Sequence, residues 1–131
     1  GGSRLPITPE VLERRENSLI MDGPAVFKWA VRTIADSTRQ VLDHLEISID
    51  EIKMAFFHQA NIRILDAAIE NLGIDRERVA INLDRYGNTS SASIPLVLDE
   101  ACREGKIERG DLVLMSGFGA GLTWGAAIVR W

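Results

Sequence analysis

Ile52-Lys53-Met54-Ala55-Phe56-Phe57-His58-Gln59-Ala60-Asn61-Ile62-Arg63-Ile64 is the stretch on which the fold turns. Its first six residues are apolar except for Lys53, and two are aromatic. A run that short and that apolar reads as a strand buried on both faces. Beyond Asn61 the spacing changes. Ile62, Leu65, Ile69 and Leu72 recur as one face of a helix over about 61–72, and Gly73 follows as its stop, able to take a left-handed conformation. A strand that passes directly into a helix is the repeating unit of an α/β layer.

Working outward, the same alternation continues. Upstream, Asp22-Gly23-Pro24 starts a helix over about 24–45, with Val26, Phe27, Ala30, Ile34, Val41, Leu42 and Leu45 on its apolar stripe. Residues 1–23, punctuated by Pro6 and Pro9, read as an irregular lead-in. Downstream, Val79-Ala80-Ile81-Asn82-Leu83 reads as a strand, 90–104 as a helix ended by Gly105, and Leu112–Ser116 as a strand. Thr123–Arg130 is a last strand, after the loop Gly117-Phe118-Gly119-Ala120-Gly121. That loop is short, so the last two strands form an antiparallel hairpin. The expected fold class is α/β: one unit, layered α-β-α, its mixed sheet covered on both faces.

The composition sets bounds. With 131 residues, 46% hydrophobic and 26% charged, the chain has enough apolar mass for one core and an ordinary polar surface. A net charge of −4 gives no general nucleic-acid footprint. The single cysteine, Cys102, cannot form an intrachain disulfide and fits a reducing compartment. No apolar run reaches the roughly 20 residues of a membrane span, and Gly1-Gly2-Ser3-Arg4-Leu5-Pro6 has no hydrophobic leader segment. The absent initiator methionine suggests a piece of a longer polypeptide.

Several residues carry chemistry, each with more than one reading. His58 is either a buried histidine bonding a loop or a site residue at a strand C-terminus, where α/β sheets place their ligands. Asn88, in Tyr86-Gly87-Asn88-Thr89-Ser90-Ser91-Ala92-Ser93, is either part of a turn and helix cap or a carboxamide donor facing a cleft. Both roles can coexist if Thr89, Ser90 or Ser91 does the capping. The glycine-rich loop can be a simple hairpin turn or can aim a backbone N–H at a developing oxyanion; it lacks the strand-to-helix setting of a phosphate-binding fingerprint. Lys28, Arg32 and Arg63 are solvated surface charge or a landing site for an acidic partner. Phe27, Trp29 and Trp124 read as core. His44 suits the C-terminal turn of the first helix, and Cys102 lies within an amphipathic helical pattern. No histidine has a partner at ligand spacing, so no metal is expected.

Three motifs taken together resemble one family. His58-Gln59-Ala60-Asn61-Ile62-Arg63-Ile64, Gly87-Asn88-Thr89-Ser90-Ser91-Ala92-Ser93-Ile94-Pro95 and Gly117-Phe118-Gly119-Ala120-Gly121-Leu122-Thr123-Trp124-Gly125 look like the C-terminal half of β-ketoacyl-acyl-carrier-protein synthase III. Met21-Asp22-Gly23 through Val26-Phe27-Lys28 is similar too, so the resemblance spans the chain in order. It implies the thiolase-like fold, with 24–131 as the C-terminal condensing domain and 1–23 cut from the part before it. It implies a Cys-His-Asn site in which His58 and Asn88 are present and the cysteine belongs to an N-terminal half; Cys102 is not its substitute.

The reaction so implied is decarboxylative condensation of an acyl-CoA primer with malonyl-carrier protein, at the start of fatty-acid synthesis. No bound cofactor is implied. By the same resemblance Gly119 and Ala120 offer an oxyanion N–H, Phe27 and Asn61 meet the CoA or pantetheine arm, and Arg63 and Lys28 dock acyl carrier protein. The complete enzyme would be a cytoplasmic homodimer of bacterial or plastid type, and the chain alone inactive. Two other readings are a starter-unit acyltransferase or ketosynthase of secondary metabolism, and a non-catalytic carrier-binding module.

Overall fold

The computed structural model describes residues 2–18 and 20–131. The lead-in carries a short helix, α1 (Pro9–Glu13), capped by the Thr8 hydroxyl. The long helix α2 (Gly23–Leu45) begins where Asp22 Oδ1 accepts the Ala25 N–H at 3.1 Å and ends at Glu46 in the left-handed region. Strand β1 (Ile52–Phe57) follows, then α3 (Ile62–Leu72), with Asn61 as its N-cap and Gly73 at φ 68° as its stop. A four-residue turn of helix, α4 (Leu83–Tyr86), precedes a 3₁₀ turn at Ser90–Ala92 that runs into α5 (Ser93–Arg103). Strands β2 (Leu112–Gly119) and β3 (Thr123–Arg130) close the chain.

The sheet order is β1-β2-β3, with β1 parallel to β2 and β2 antiparallel to β3. The hairpin expected at the C-terminus is therefore present. Its glycines, however, are not all loop. Gly117, Phe118 and Gly119 pair with Gly125, Trp124 and Thr123, so the ladder continues and the connection is only residues 120–122. The strand expected at 79–83 does not form. Val79 makes one parallel bridge to Ala55 and the Ala80 N–H reaches the Ala55 carbonyl. Beyond that point the Gln59 side chain takes over the backbone groups: its Oε1 accepts the Asn82 N–H at 3.0 Å and its Nε2 donates to the Ala80 carbonyl at 3.4 Å. With its polar groups satisfied by a side chain, the chain turns into α4 instead of extending a ladder.

Two apolar clusters cover the two faces of β1 and β2. Ile34, Ala55, Phe57, Leu65 and Leu114 pack under α2 and α3. Met54, Phe56, Val97, Ala101 and Val113 pack under α5. The expected two-sided covering thus holds for the first two strands. It fails for β3, whose residues are half-buried or exposed throughout. Trp124, read as core, is 58% exposed and touches Trp29 only edge-on, with ring centroids 6.1 Å apart. Leu45 and Ile62, expected on buried stripes, also lie at the surface at the ends of their helices.

Candidate active site

Because β1 and β2 are parallel, their C-terminal ends open on the same edge of the sheet, the edge at which α/β folds assemble sites. His58 is the first residue past β1. Its backbone N–H still donates to the Ser116 carbonyl at 2.9 Å, so the ladder fixes where the ring begins. The half-buried imidazole puts Nδ1 2.7 Å from the hydroxyl of Ser93, the first residue of α5. Ser93 is 2% exposed, and its oxygen also accepts the Gln59 N–H at 3.3 Å. Phe118 of β2 lies edge-on to the imidazole at 5.2 Å, and Trp29 of α2 lies edge-on to Phe118 at 5.8 Å. Burial lowers the His58 pKa below the ordinary imidazole value, and the Ser90 backbone opposes this by the smaller amount. The ring is therefore neutral at pH 7, with one nitrogen engaged by Ser93.

Asn88 occupies an exposed turn between Gly87 at φ 67° and Ser90 at φ 54°. Its Oδ1 accepts the Ser90 N–H at 2.9 Å. A backbone N–H needs an acceptor, so this bond sets which way the carboxamide points. The oxygen is used locally and the NH₂ group is left as a donor. Thr89, expected among the capping residues, makes no side-chain cap bond. The Asn88 oxygen takes the Ser90 N–H instead, in a local turn bond.

Gly119 closes β2 half-buried, and Ala120 is exposed in the connection. Gly121 must be glycine: at φ 152° an added Cβ would come within 2.7 Å of Thr123 Cγ2. Phe27 is half-buried against the α2 and α3 cluster. Asn61 is exposed, and its Oδ1 caps α3 by accepting the Arg63 N–H at 2.8 Å. Lys28 and Arg63 are exposed, and among the described residues neither makes an ion pair. Cys102 packs half-buried in the α5 cluster, and His44 is exposed in the last turn of α2. Among the described residues no three His, Cys, Asp or Glu side chains are grouped to hold a metal ion, and no helix is long and apolar enough to cross a membrane.

The structure thus gathers His58, Phe118 and the N-terminus of α5 directly, with Asn88 on the turn that leads into that helix. Sequence reasoning missed four residues around them: Ser93, which bonds the His58 ring, and Gln59, Asn82 and Glu100, which bond one another in sequence around α4. A faint signal existed for Glu100. It sits three residues after the inward-facing Val97, where a carboxylate needs a partner.

The fold, helices layered on a mixed sheet that ends in an antiparallel hairpin, is thiolase-like. Residues 42–131 match the family described as 3-oxoacyl-[acyl-carrier-protein (ACP)] synthase III C terminal, and the chain belongs to that family. It is 53% identical over 131 residues to the β-ketoacyl-[acyl-carrier-protein] synthase III of Rhodopirellula baltica, covering all of this chain and 38% of that protein. Among solved structures, the synthase III of Thermus thermophilus is 52% identical with a TM-score of 0.85, over 88% of this chain and 36% of the other. The 3-oxoacyl-(acyl carrier protein) synthase III of Pseudomonas aeruginosa PAO1 superposes at 0.85 with 42% identity, over 96% of this chain and 38% of the other. The chain spans 38% to 40% of the length of the curated relatives it matches.

Proposed function

We propose that this chain is the C-terminal part of a β-ketoacyl-acyl-carrier-protein synthase III and contributes the decarboxylation half of its site, on residues 24–131. The observation that supports this best is that each of two residues keeps a neutral donor free of local partners, one just past β1 and one on the turn into α5. His58 is held neutral by burial and engaged through Nδ1 by Ser93; Asn88 has its oxygen taken by Ser90 and its NH₂ group left to donate.

In the reaction so proposed, a cysteine thiolate from the N-terminal half attacks an acyl-CoA and expels the CoA thiolate. Malonyl-carrier protein then loses CO₂, and the electron pair of the broken C–C bond moves onto the thioester carbonyl. The resulting enolate oxygen carries the charge, so its partners must donate hydrogen bonds and must not be anionic. The far nitrogen of His58 and the Asn88 amide meet both conditions. The enolate carbon attacks the acyl-cysteine, and the thiolate leaves. A backbone N–H near Gly119 or Ala120 meets the second oxyanion. Phe27 and Asn61 line the approach of the pantetheine arm. Exposed Arg63 and Lys28 receive the acidic carrier protein. The working enzyme is a cytoplasmic homodimer, and the isolated chain does not condense.

A chimera tests this reading. The chain is joined to the N-terminal portion of the Thermus thermophilus relative and supplied with acetyl-CoA and malonyl-carrier protein. The expected product is acetoacetyl-carrier protein, from the chimera and not from the chain alone. A folded chimera that binds both substrates and condenses neither would refute it.

A further inference from the structure

We propose that Glu100 is a positioning residue for Asn88, an inference that rests on the donor role proposed for that amide. Three donors converge on its carboxylate. Asn82 Nδ2 lies 2.9 Å from Oε2, Arg85 Nη2 lies 2.6 Å from the same oxygen, and the Tyr86 hydroxyl lies 2.7 Å from Oε1. All three donors come from one short segment, the start and the last turn of α4, while Glu100 stands on α5. Gly87 and Asn88 follow Tyr86 immediately.

The arrangement closes a loop. The near end of α5 is fixed to the imidazole, because Ser93 bonds His58 Nδ1 and the Gln59 N–H. Two turns further along the same helix, Glu100 fixes α4. Asn82 joins the two ends: its side chain bonds Glu100, and its backbone N–H bonds the side chain of Gln59, next to His58. Asn82 and Gln59 are 3% and 1% exposed, so the bond between them is not traded for water. The turn bearing Asn88 is itself exposed and caps only onto Ser90. The Ser90 backbone reaches the His58 ring from the turn itself; the frame formed by Gln59, Asn82 and Glu100 holds the other side, fixing α4, from which the turn leaves. An error of about 1 Å in the distance between Asn88 and His58 is enough to lose on the order of a hundredfold in rate.

The test is a double-mutant cycle in the complete synthase that contains this chain, reading kcat and KM for malonyl-carrier-protein decarboxylation. Glu100→Ala lowers kcat by about ten- to a hundredfold, with KM changed by less than about threefold. Glu100→Gln, which keeps one acceptor oxygen, recovers part of that loss. In the Asn88→Ala background, Glu100→Ala adds little, because there is no amide left to misplace. The same factor in both backgrounds, or an unchanged kcat in folded Glu100→Ala, overturns the inference and leaves the reading of Asn88 standing. An unchanged kcat in Asn88→Ala overturns that reading and the inference with it. Should Glu100→Ala not fold, Tyr86→Phe carries the same test. It removes one exposed donor, and its smaller loss must likewise vanish in the Asn88→Ala background.

Discussion

His58 stands at the C-terminal end of β1 and Asn88 on the turn that leads into α5, and the two are held by different means. His58 leaves a buried strand, its main chain still in the ladder and its ring fixed by a buried hydroxyl and an aromatic edge. Asn88 sits on an exposed turn with its side chain bonded to the Ser90 N–H, and the α4 segment just before it is held by a carboxylate on another helix. The difference teaches that a paired site need not be uniformly rigid. One donor is positioned by local packing, the other by a frame that reaches it through two helices.

The largest expected effect is on the rigid arm. His58→Ala in the complete synthase should raise the barrier to malonyl-thioester decarboxylation by about 2.7–4 kcal/mol, the usual consequence of removing one oxyanion donor. A steady-state assay with the thermal midpoint measured alongside separates this from unfolding. A kcat within threefold of wild type would remove His58 from the chemistry.

Next comes a substitution that separates the two ends of Asn88. Asn88→Asp keeps an oxygen for the Ser90 N–H, and aspartate caps as well as asparagine. The fold should therefore be unchanged. Turnover should fall by about a hundredfold or more, because a carboxylate in place of the NH₂ group repels the enolate. Retained turnover in Asn88→Asp would mean that the residue acts as a cap alone.

Ser93→Ala probes the anchor of the rigid arm. It leaves the His58 Nδ1 and the Gln59 N–H without their shared partner, at a cost of about 1–3 kcal/mol. Urea unfolding should show this loss at constant m-value. An unchanged midpoint would show that water replaces the hydroxyl without penalty.

Acid should act through the same ring. The folded state holds His58 below its ordinary pKa, so between the folded and unfolded values the unfolded chain binds more protons. This contribution to stability is full above the unfolded pKa and is lost as pH falls through that value towards the folded one. Following the His58 ring protons by NMR gives the midpoint directly. A midpoint above the ordinary imidazole value would reverse the sign. The smallest effect is at the periphery: Arg63→Glu should raise KM for malonyl-carrier protein by about tenfold, with kcat unchanged.

Much of this was legible in the residues, for physical reasons. β1 and α3 announce themselves because burial on two faces and burial on one leave different apolar spacings, and Gly73 marks the stop. What was missed depended on distant partners. Val79–Leu83 has strand chemistry, yet the Gln59 side chain claims its polar groups after a single bridge. Gly117 and Gly119 look like loop but stay in register because β3 lies opposite them. Trp124 reads as core, and its exposure follows from its place near the turn end of the edge strand β3, where α2 reaches it only edge-on through Trp29. The motifs around His58 and Asn88 stand out in the sequence; the Glu100 carboxylate and its partners do not, since its three donors lie on and just before α4 while it stands on α5.

The central claim is that both arms meet one oxygen. A crystal structure of the complete synthase with a non-decarboxylating malonyl-thioester analogue bound tests it most directly. The thioester oxygen should lie within about 2.7–3.2 Å of both the outer nitrogen of His58 and the amide nitrogen of Asn88. An oxygen bonded to only one of them, or an Asn88 amide turned into solvent with the analogue in place, would contradict it.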